Sequence, residues 1–330
     1  MPYIVRRVIG LVIVLLAMTF IVFCLESLVP TDPARAMAGV SAPISTVEMV
    51  RQQLGLDQPL PTRYGRFLLR LIQGDLGMSV RTRQPVLNDI MRYLPASLEL
   101  CAFALLGGAL LALCLAMLQG WFPNAASLRF AITAAGSAPI FLTGLLSAYL
   151  FWFVLGWLPG SGRLTGRSFA GPTGFNVLDG LLAGRADIVV DAIAHLVLPG
   201  LTLALPIAVA IGRSLAGALH DVMRQPYIRT ARGKGLAEGR VVLCHGLRNA
   251  ASAPLAMAGL QVGLLFGNLL IVEQTFAWPG IGLYMVQAFA SSDLPAILGA
   301  SLVLGAIYLA IGIVIEIAQS LADPRITLRA

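Results

Sequence analysis

Six apolar segments, at about 8–29, 97–119, 130–156, 190–212, 252–274 and 295–321, limit what this chain can fold into. Each reaches the ~20 residues a helix needs to cross the hydrocarbon core of a bilayer. Isolated strands cannot satisfy their backbone in lipid, so the runs read as helices. Composition agrees: 58% of residues are hydrophobic and 12% charged, where soluble domains carry about 25% charged residues. The expected fold is an all-α polytopic membrane protein with six transmembrane helices. Pro139 in the third run, and Pro199 and Pro206 in the fourth, predict kinks rather than breaks, because neighbouring helices satisfy the freed carbonyls.

Charge sets the orientation. Arg6 and Arg7 precede the first run, and Arg325 and Arg329 follow the last. The 213–250 loop carries Arg213, Arg224, Arg229, Arg232, Lys234, Arg240 and Arg248 against Asp221 and Glu238. Under the positive-inside rule these fall together in the cytoplasm, with both termini. The same bias accounts for the net charge of +7; no basic face with stacking aromatics points to nucleic acid. The 30–95 segment, placed outside, holds eight arginines, but at about 65 residues it sits near the length where loop charge stops deciding orientation. The first run exceeds the roughly 7–15 residues of a cleavable signal and reads as an uncleaved span. Cys24, Cys101, Cys114 and Cys244 form no disulfide framework and no metal-ligand spacing with His195, His220 or His245.

Three regions follow. Residues 1–29 are the N-terminus and first span; 30–95 form a small helical external subdomain; 96–330 form a five-helix core. In 30–95, helical spacing covers Thr46 to Leu54 and Thr62 to Gln73, with Thr46 and Thr62 as N-caps. The glycine-rich 157–189 loop reads as an irregular external excursion. In the basic loop, Pro226 suits a helix start, Tyr227 to Arg232 make a short helix, and Gly233 and Gly235 end it. Glu238 then opens a second helix. Two brief helices separated by glycine make a knob suited to a groove on another protein; the plain alternative is a solvated connector whose arginines only set topology.

The stretch from Tyr227 to Leu236, with His245-Gly-Leu-Arg-Asn-Ala250, resembles the cytoplasmic coupling loop of peptide-type ABC importer permeases. The likeness extends along the chain. Arg6-Arg7, Thr31-Asp-Pro-Ala34, Leu54-Gly-Leu-Asp-Gln-Pro-Leu60, Gly74-Asp-Leu-Gly77 with Ser79, and Leu94-Pro-Ala-Ser-Leu-Glu-Leu100 are similar to the first permease of dipeptide, oligopeptide and nickel systems. So are Phe276-Ala-Trp-Pro-Gly-Ile-Gly282 and Asp323-Pro-Arg-Ile326. The resemblance implies a type I ABC importer permease fold in the bacterial inner membrane. It also implies a second homologous permease, two cytoplasmic ATPase subunits and an external substrate-binding protein. Tyr227, Ile228, Arg229, Thr230, Ala231, Arg232, Gly235 and Leu236 would then meet the ATPase. Two departures from the general signature stand: Arg229-Thr230-Ala231 replaces its Glu-Ala-Ala, and Leu247 is followed by Arg248 rather than proline.

No phosphate-cradling Gly-x-x-x-x-Gly-Lys-Ser/Thr loop occurs, and Lys234 is the only lysine. The chain is therefore expected to be non-catalytic and to bind no cofactor, with ATP and Mg in the partner ATPases. Glu26, Glu99, His195 and Glu273 lie near span ends, which suits interfacial or structural roles, while Glu316 lies further inside and suits pairing with an arginine. Gln261 and Asn268 share a face of the fifth span and are candidates to line a path, as are Ser137, Pro139, Met257 and Phe266; ordinary helix packing is the alternative. An ion-coupled secondary transporter would favour acids near the bilayer centre, and a membrane enzyme a motif such as His-Glu-x-x-His, which is absent. Peptides are the expected cargo, with nickel chelates or another small solute as the alternative.

Overall fold

The computed structural model describes residues 2–28, 33–39, 41–122, 125–166 and 169–322. Thr31, Asp32, the 323–326 motif and Arg329 lie outside these, as do the side chains of Arg6, Arg7 and Glu26. The helices are α1 (Pro2–Leu28), α2 (Pro33–Ala38), α3 (Ile44–Leu54), α4 (Leu60–Ile72), α5 (Val86–Trp121), α6 (Ala126–Ser137), α7 (Ile140–Ser147), α8 (Asn176–Leu182), α9 (Ala186–Met223), α10 (Pro226–Gly233), α11 (Glu238–Arg240), α12 (Arg248–Ala250), α13 (Ser252–Thr275), α14 (Ile281–Ala290) and α15 (Leu294–Ala322). Two π-helical segments, Ala148–Val154 and Val241–Leu247, extend α7 and link α11 to α12. Among the described residues the only β-pairing is an isolated bridge between Met78 and Pro85.

The six apolar runs fall on α1, α5, the α6–α7 pair, α9, α13 and α15. By length and composition α5, α9, α13 and α15 qualify as spans, and the bent α6–α7 pair makes a fifth if it is counted as one span. Helix α1 has 27 residues, with Ile9–Cys24 as its described apolar stretch. Helices α5 and α9 outrun their expected limits. At 36 and 38 residues they extend about 54 and 57 Å, well beyond a hydrocarbon core of roughly 30 Å.

The kink expected at Pro139 is instead a break, with a bend of 102° between α6 and the helix that follows. A proline ring disfavours the helical region for the preceding residue. Ala138 accordingly takes ψ 136°, and Pro139 itself ψ 135°, so consecutive extended residues turn the chain before α7 restarts. Pro199 and Pro206, by contrast, stay inside one continuous α9. Thr46 and Thr62 also depart from expectation. The N-caps are Pro43 and Pro59, extended and without a side-chain cap bond. Their carbonyls accept the Thr46 and Thr62 amides at 3.0 Å, so both threonines lie inside the first turn.

The chain divides into two compact units. The first gathers Met1–Ser97 with Pro279–Ile307, so the 30–95 segment shares its core with residues far along the chain. Leu76, Val86, Ile90, Ile281, Tyr284, Met285 and Ala296 pack there. Buried polar groups fix the register. Asp293 accepts hydrogen bonds from Ser79 Oγ (2.5 Å), Arg81 N (3.0 Å) and Ala296 N (3.3 Å). Asp89 accepts from Thr82 Oγ1 (2.6 Å) and Tyr284 Oη (3.1 Å), and Ser97 Oγ accepts from Ile281 N (2.7 Å). The Gly74–Ser79 motif thus has a structural reading: Gly77 (φ +88°) turns the chain so that Ser79 reaches Asp293.

The second unit, Leu98–Trp278 with Tyr308–Ala330, is organised on α9, against which α6, α7, α8 and α13 pack. Small residues set the approach of α5. A Cβ on Gly212 would lie 3.0 Å from Ala112 O, and one on Gly108 2.9 Å from Ile207 Cγ2. Apolar side chains gain little from leaving lipid for one another, so close backbone packing of this kind supplies van der Waals contact between spans.

Candidate functional site

The loop between α9 and α13 folds as the sequence suggests at its start. Gln225 is extended (ψ 149°), Pro226 occupies the first helical turn, where its missing N–H costs nothing, and α10 ends at Gly233. Lys234 N donates to Thr230 O (3.0 Å) and Gly235 N to Arg232 O (2.9 Å). Gly235 then takes φ +77°, a left-handed conformation that glycine adopts without a Cβ penalty.

Burial divides the helix sharply. Ile228 is 0% exposed, whereas Tyr227 is 44% exposed. Arg229, Thr230, Arg232, Gly233, Lys234 and Gly235 are also exposed, with Ala231 and Leu236 half-buried. One apolar side chain anchors α10, and the rest forms a basic outward surface. Arg232 and Glu238 close the glycine turn as a bidentate pair, Nε to Oε2 at 3.0 Å and Nη2 to Oε1 at 2.5 Å. That hydrogen bonding raises Arg232 above its ordinary pKa and holds Glu238 below the usual carboxylate range.

The second helix begins at Glu238 as expected, but it is not a regular α-helix. It passes into the π-helical segment Val241–Leu247 before α12. This segment packs against both α10 and the end of α9. Val241, like Ile228, is 0% exposed. A Cβ on Gly246 would lie 2.9 Å from Leu219 Cδ1 and 3.2 Å from Met223 Sδ, so glycine is what lets this segment press onto α9. Leu215, Leu219, Ala116 and Ala250 make the small core beneath. The knob is therefore continuous, by packing, with a membrane-crossing helix.

The 157–189 loop is more ordered than its glycines suggest. It contains α8, and its ends are tied down by charge. Arg163 Nη2 bonds Glu99 Oε2 (2.5 Å) and Gly174 O (2.9 Å), while Glu99 Oε1 accepts from Val177 N (2.8 Å). The Arg163 guanidinium lies 5.7 Å from the centre of the fully buried Trp278 ring. Asp179 gathers the amides of Thr173 and Gly174 and the Thr173 hydroxyl. Sequence reading gave Glu99 a structural role but missed Arg163, since nothing local marks a partner 64 positions away. It also missed Asp179, whose partners Thr173 and Gly174 lie only six and five positions before it. Glu99→Gln keeps the shape but removes the counter-charge from a mostly buried arginine. We expect a loss of roughly 2 kcal/mol, read as a melting temperature lowered by about 5 °C in detergent.

The path candidates separate. Met257, Gln261 and Asn268 share a face of α13, with Gln261 buried and the others half-buried. Ser137 is exposed at the end of α6, its hydroxyl donating to Thr133 O (2.9 Å), and Pro139 sits at the bend. Phe266 packs edge-on against Tyr308. Glu273 and His195 are buried, and His195 Nδ1 lies 2.8 Å from Asp191 O. Among the described residues no group of three or more His, Cys, Asp or Glu is placed to hold a metal.

These features define a helical membrane protein that crosses the bilayer several times and presents one anchored basic knob between two spans. Residues 104–328 match the family described as the binding-protein-dependent transport system inner membrane component, and residues 1–101 match the N-terminal family of the same component. The chain belongs to this family of inner membrane transport components. It is 38% identical to the probable D,D-dipeptide transport system permease protein DdpB of Escherichia coli K12, over 97% of this chain and 96% of that one. It is 35% identical to the dipeptide transport system permease protein DppB of Alkalihalophilus pseudofirmus, over 99% of both. Identity to the glutathione transport system permease protein GsiC of Pectobacterium atrosepticum is 34%, over 98% of both.

Proposed function

We propose that this chain is one of a pair of related membrane subunits in an ATP-driven importer of short peptides, and that α10 receives force from a separate ATPase. The observation that carries the coupling role is the burial pattern of α10: Ile228 is fixed inside while Tyr227, Arg229 and Thr230 face outward. Tyrosine and arginine are the residue types that most often dominate protein interfaces. The peptide cargo rests on relatives named for dipeptides and glutathione.

In this reading the chain itself is non-catalytic. ATP and Mg are held by two cytoplasmic partners, and an external binding protein delivers the cargo. Both termini and the knob lie in the cytoplasm. Closure of the ATPases displaces α10, and the Ile228 and Val241 packing passes that movement to α9, opening the path on alternate sides. The pairing of Glu99 with Arg163 supports this over ion-coupled transport, because it leaves that acid committed to a structural bond.

The test is Arg229→Glu and Gly235→Val in the reconstituted four-subunit complex with its binding protein. We expect peptide uptake to fall at least tenfold in each while ATP hydrolysis persists. Uptake at the unsubstituted rate in both would sink the coupling role. Calorimetry of di- and tripeptides, and of nickel chelates, on the cognate binding protein decides the cargo.

A further inference from the structure

Helix α4 has two exposed strips of opposite character, a feature that neither the fold nor the proposed coupling uses. At about 100° per residue, Tyr64, Phe67, Leu68 and Leu71 share one side, and this side packs on α1. Tyr64 Oη donates to Leu16 O at 2.9 Å and lies 3.0 Å from Thr19 Oγ1. Its ring packs at 5.3 Å from Phe20 and 5.5 Å from Phe23. Leu16 to Phe23 belong to the second half of the apolar stretch Ile9–Cys24. Helix α4 is thereby held along the apolar stretch of α1, toward its C-terminal end.

The outward half of α4 divides again. Leu69 is 62% exposed and Ile72 83%, one turn apart on one flank. On the other flank Arg63, Arg66 and Arg70 follow at three- and four-residue spacing, with Arg66 and Arg70 exposed, and α4 contains no acidic residue. Water alone gives no reason to present Leu69 and Ile72, and the hydrocarbon interior does not accept a row of arginines. The boundary between acyl chains and phosphates accepts both, the apolar strip entering the chains and the long arginine stems carrying charge to the headgroups.

We infer that α4 is an interfacial helix that binds anionic phospholipid headgroups through Arg66 and Arg70, with Leu69 and Ile72 seated among the acyl chains. The binding adds a lipid-composition dependence to this unit and does not rest on the coupling role of α10. Anionic lipid is favoured over neutral lipid by roughly fivefold per arginine near the surface.

The test uses the full chain in vesicles of phosphatidylcholine alone, or of phosphatidylcholine with an equal part of phosphatidylglycerol. Hydrogen–deuterium exchange is followed in peptides covering 60–73. We expect exchange to slow about 25-fold with phosphatidylglycerol, the slowing to fall to about fivefold in R70Q and to vanish in R66Q/R70Q. R129Q, which alters an exposed arginine on α6, should keep the full effect. The Arg66 guanidinium lies over Gly55 and also supports the α3–α4 junction, so R70Q carries the decision. Equal exchange in the two vesicles overturns the inference. So does the full slowing retained in R70Q, or the same slowing produced by inorganic phosphate added to phosphatidylcholine vesicles.

Discussion

Ile228→Ala is expected to abolish ATP-driven uptake while leaving ATP hydrolysis within about twofold of normal. The side chain is 0% exposed, and no other residue of α10 is buried. Truncating a fully buried isoleucine to alanine costs about 2–5 kcal/mol. Helix α10 has eight residues, below the roughly 12–15 at which an isolated helix becomes even marginal in water. It therefore has little stability to spare once its anchor is lost. Residues at the membrane-crossing helices keep their own packing, so the damage stays local. Uptake and hydrolysis measured together on vesicles containing the whole complex decide the matter. A proportional fall in both would mean that Ile228 serves assembly, not coupling. Ile228→Val, which keeps the branched shape, should retain most uptake, with a cost of about 1 kcal/mol.

The largest effect on folding is expected for Asp293→Ala. Asp293 is 0% exposed and accepts bonds from Ser79 Oγ, Arg81 N and Ala296 N. Alanine leaves these donors without their acceptor, at about 1–3 kcal/mol for each that stays buried. It also removes the side chain that fastens residues 79–81 to the start of α15. A total loss of about 4 kcal/mol approaches the whole stability of a small domain. We expect proteolysis between Gly74 and Pro85 to accelerate more than tenfold, with cleavage elsewhere unchanged. Ser79→Ala removes only one of these bonds and should accelerate it no more than about threefold. Equal resistance of Asp293→Ala and the unsubstituted chain would show that the apolar core around Val86 and Ile281 holds this unit by itself.

The contrast between α10 and the helices of residues 30–95 shows what local sequence can reveal. Pro226, Gly233 and Gly235 punctuate the chain so strongly that α10 was legible within one residue of its observed ends. Thr46 and Thr62 misled because a threonine before an apolar run is a common N-cap, while the prolines at 43 and 59 already supplied an extended entry and needed no cap. Pro139, Pro199 and Pro206 carry the same local signal, yet only the first breaks its helix. Tertiary packing decides between those outcomes, because neighbouring helices can compensate a proline's missing bond.

The sequence by itself determined that this chain lives in a membrane, that it carries several apolar runs, and where a short basic helix interrupts them. Those properties follow from transfer free energies and backbone restrictions that act over a few adjacent residues. Only the tertiary structure decided that Ile228 points inward while Arg229 points outward, that Glu99 meets Arg163, and that Asp293 closes on Ser79 across 214 positions. It also seated the Tyr64 and Phe67 side of α4 on α1 and left its two strips outward. Such pairings depend on which distant surfaces exclude solvent and lipid together, and composition and periodicity carry no record of that.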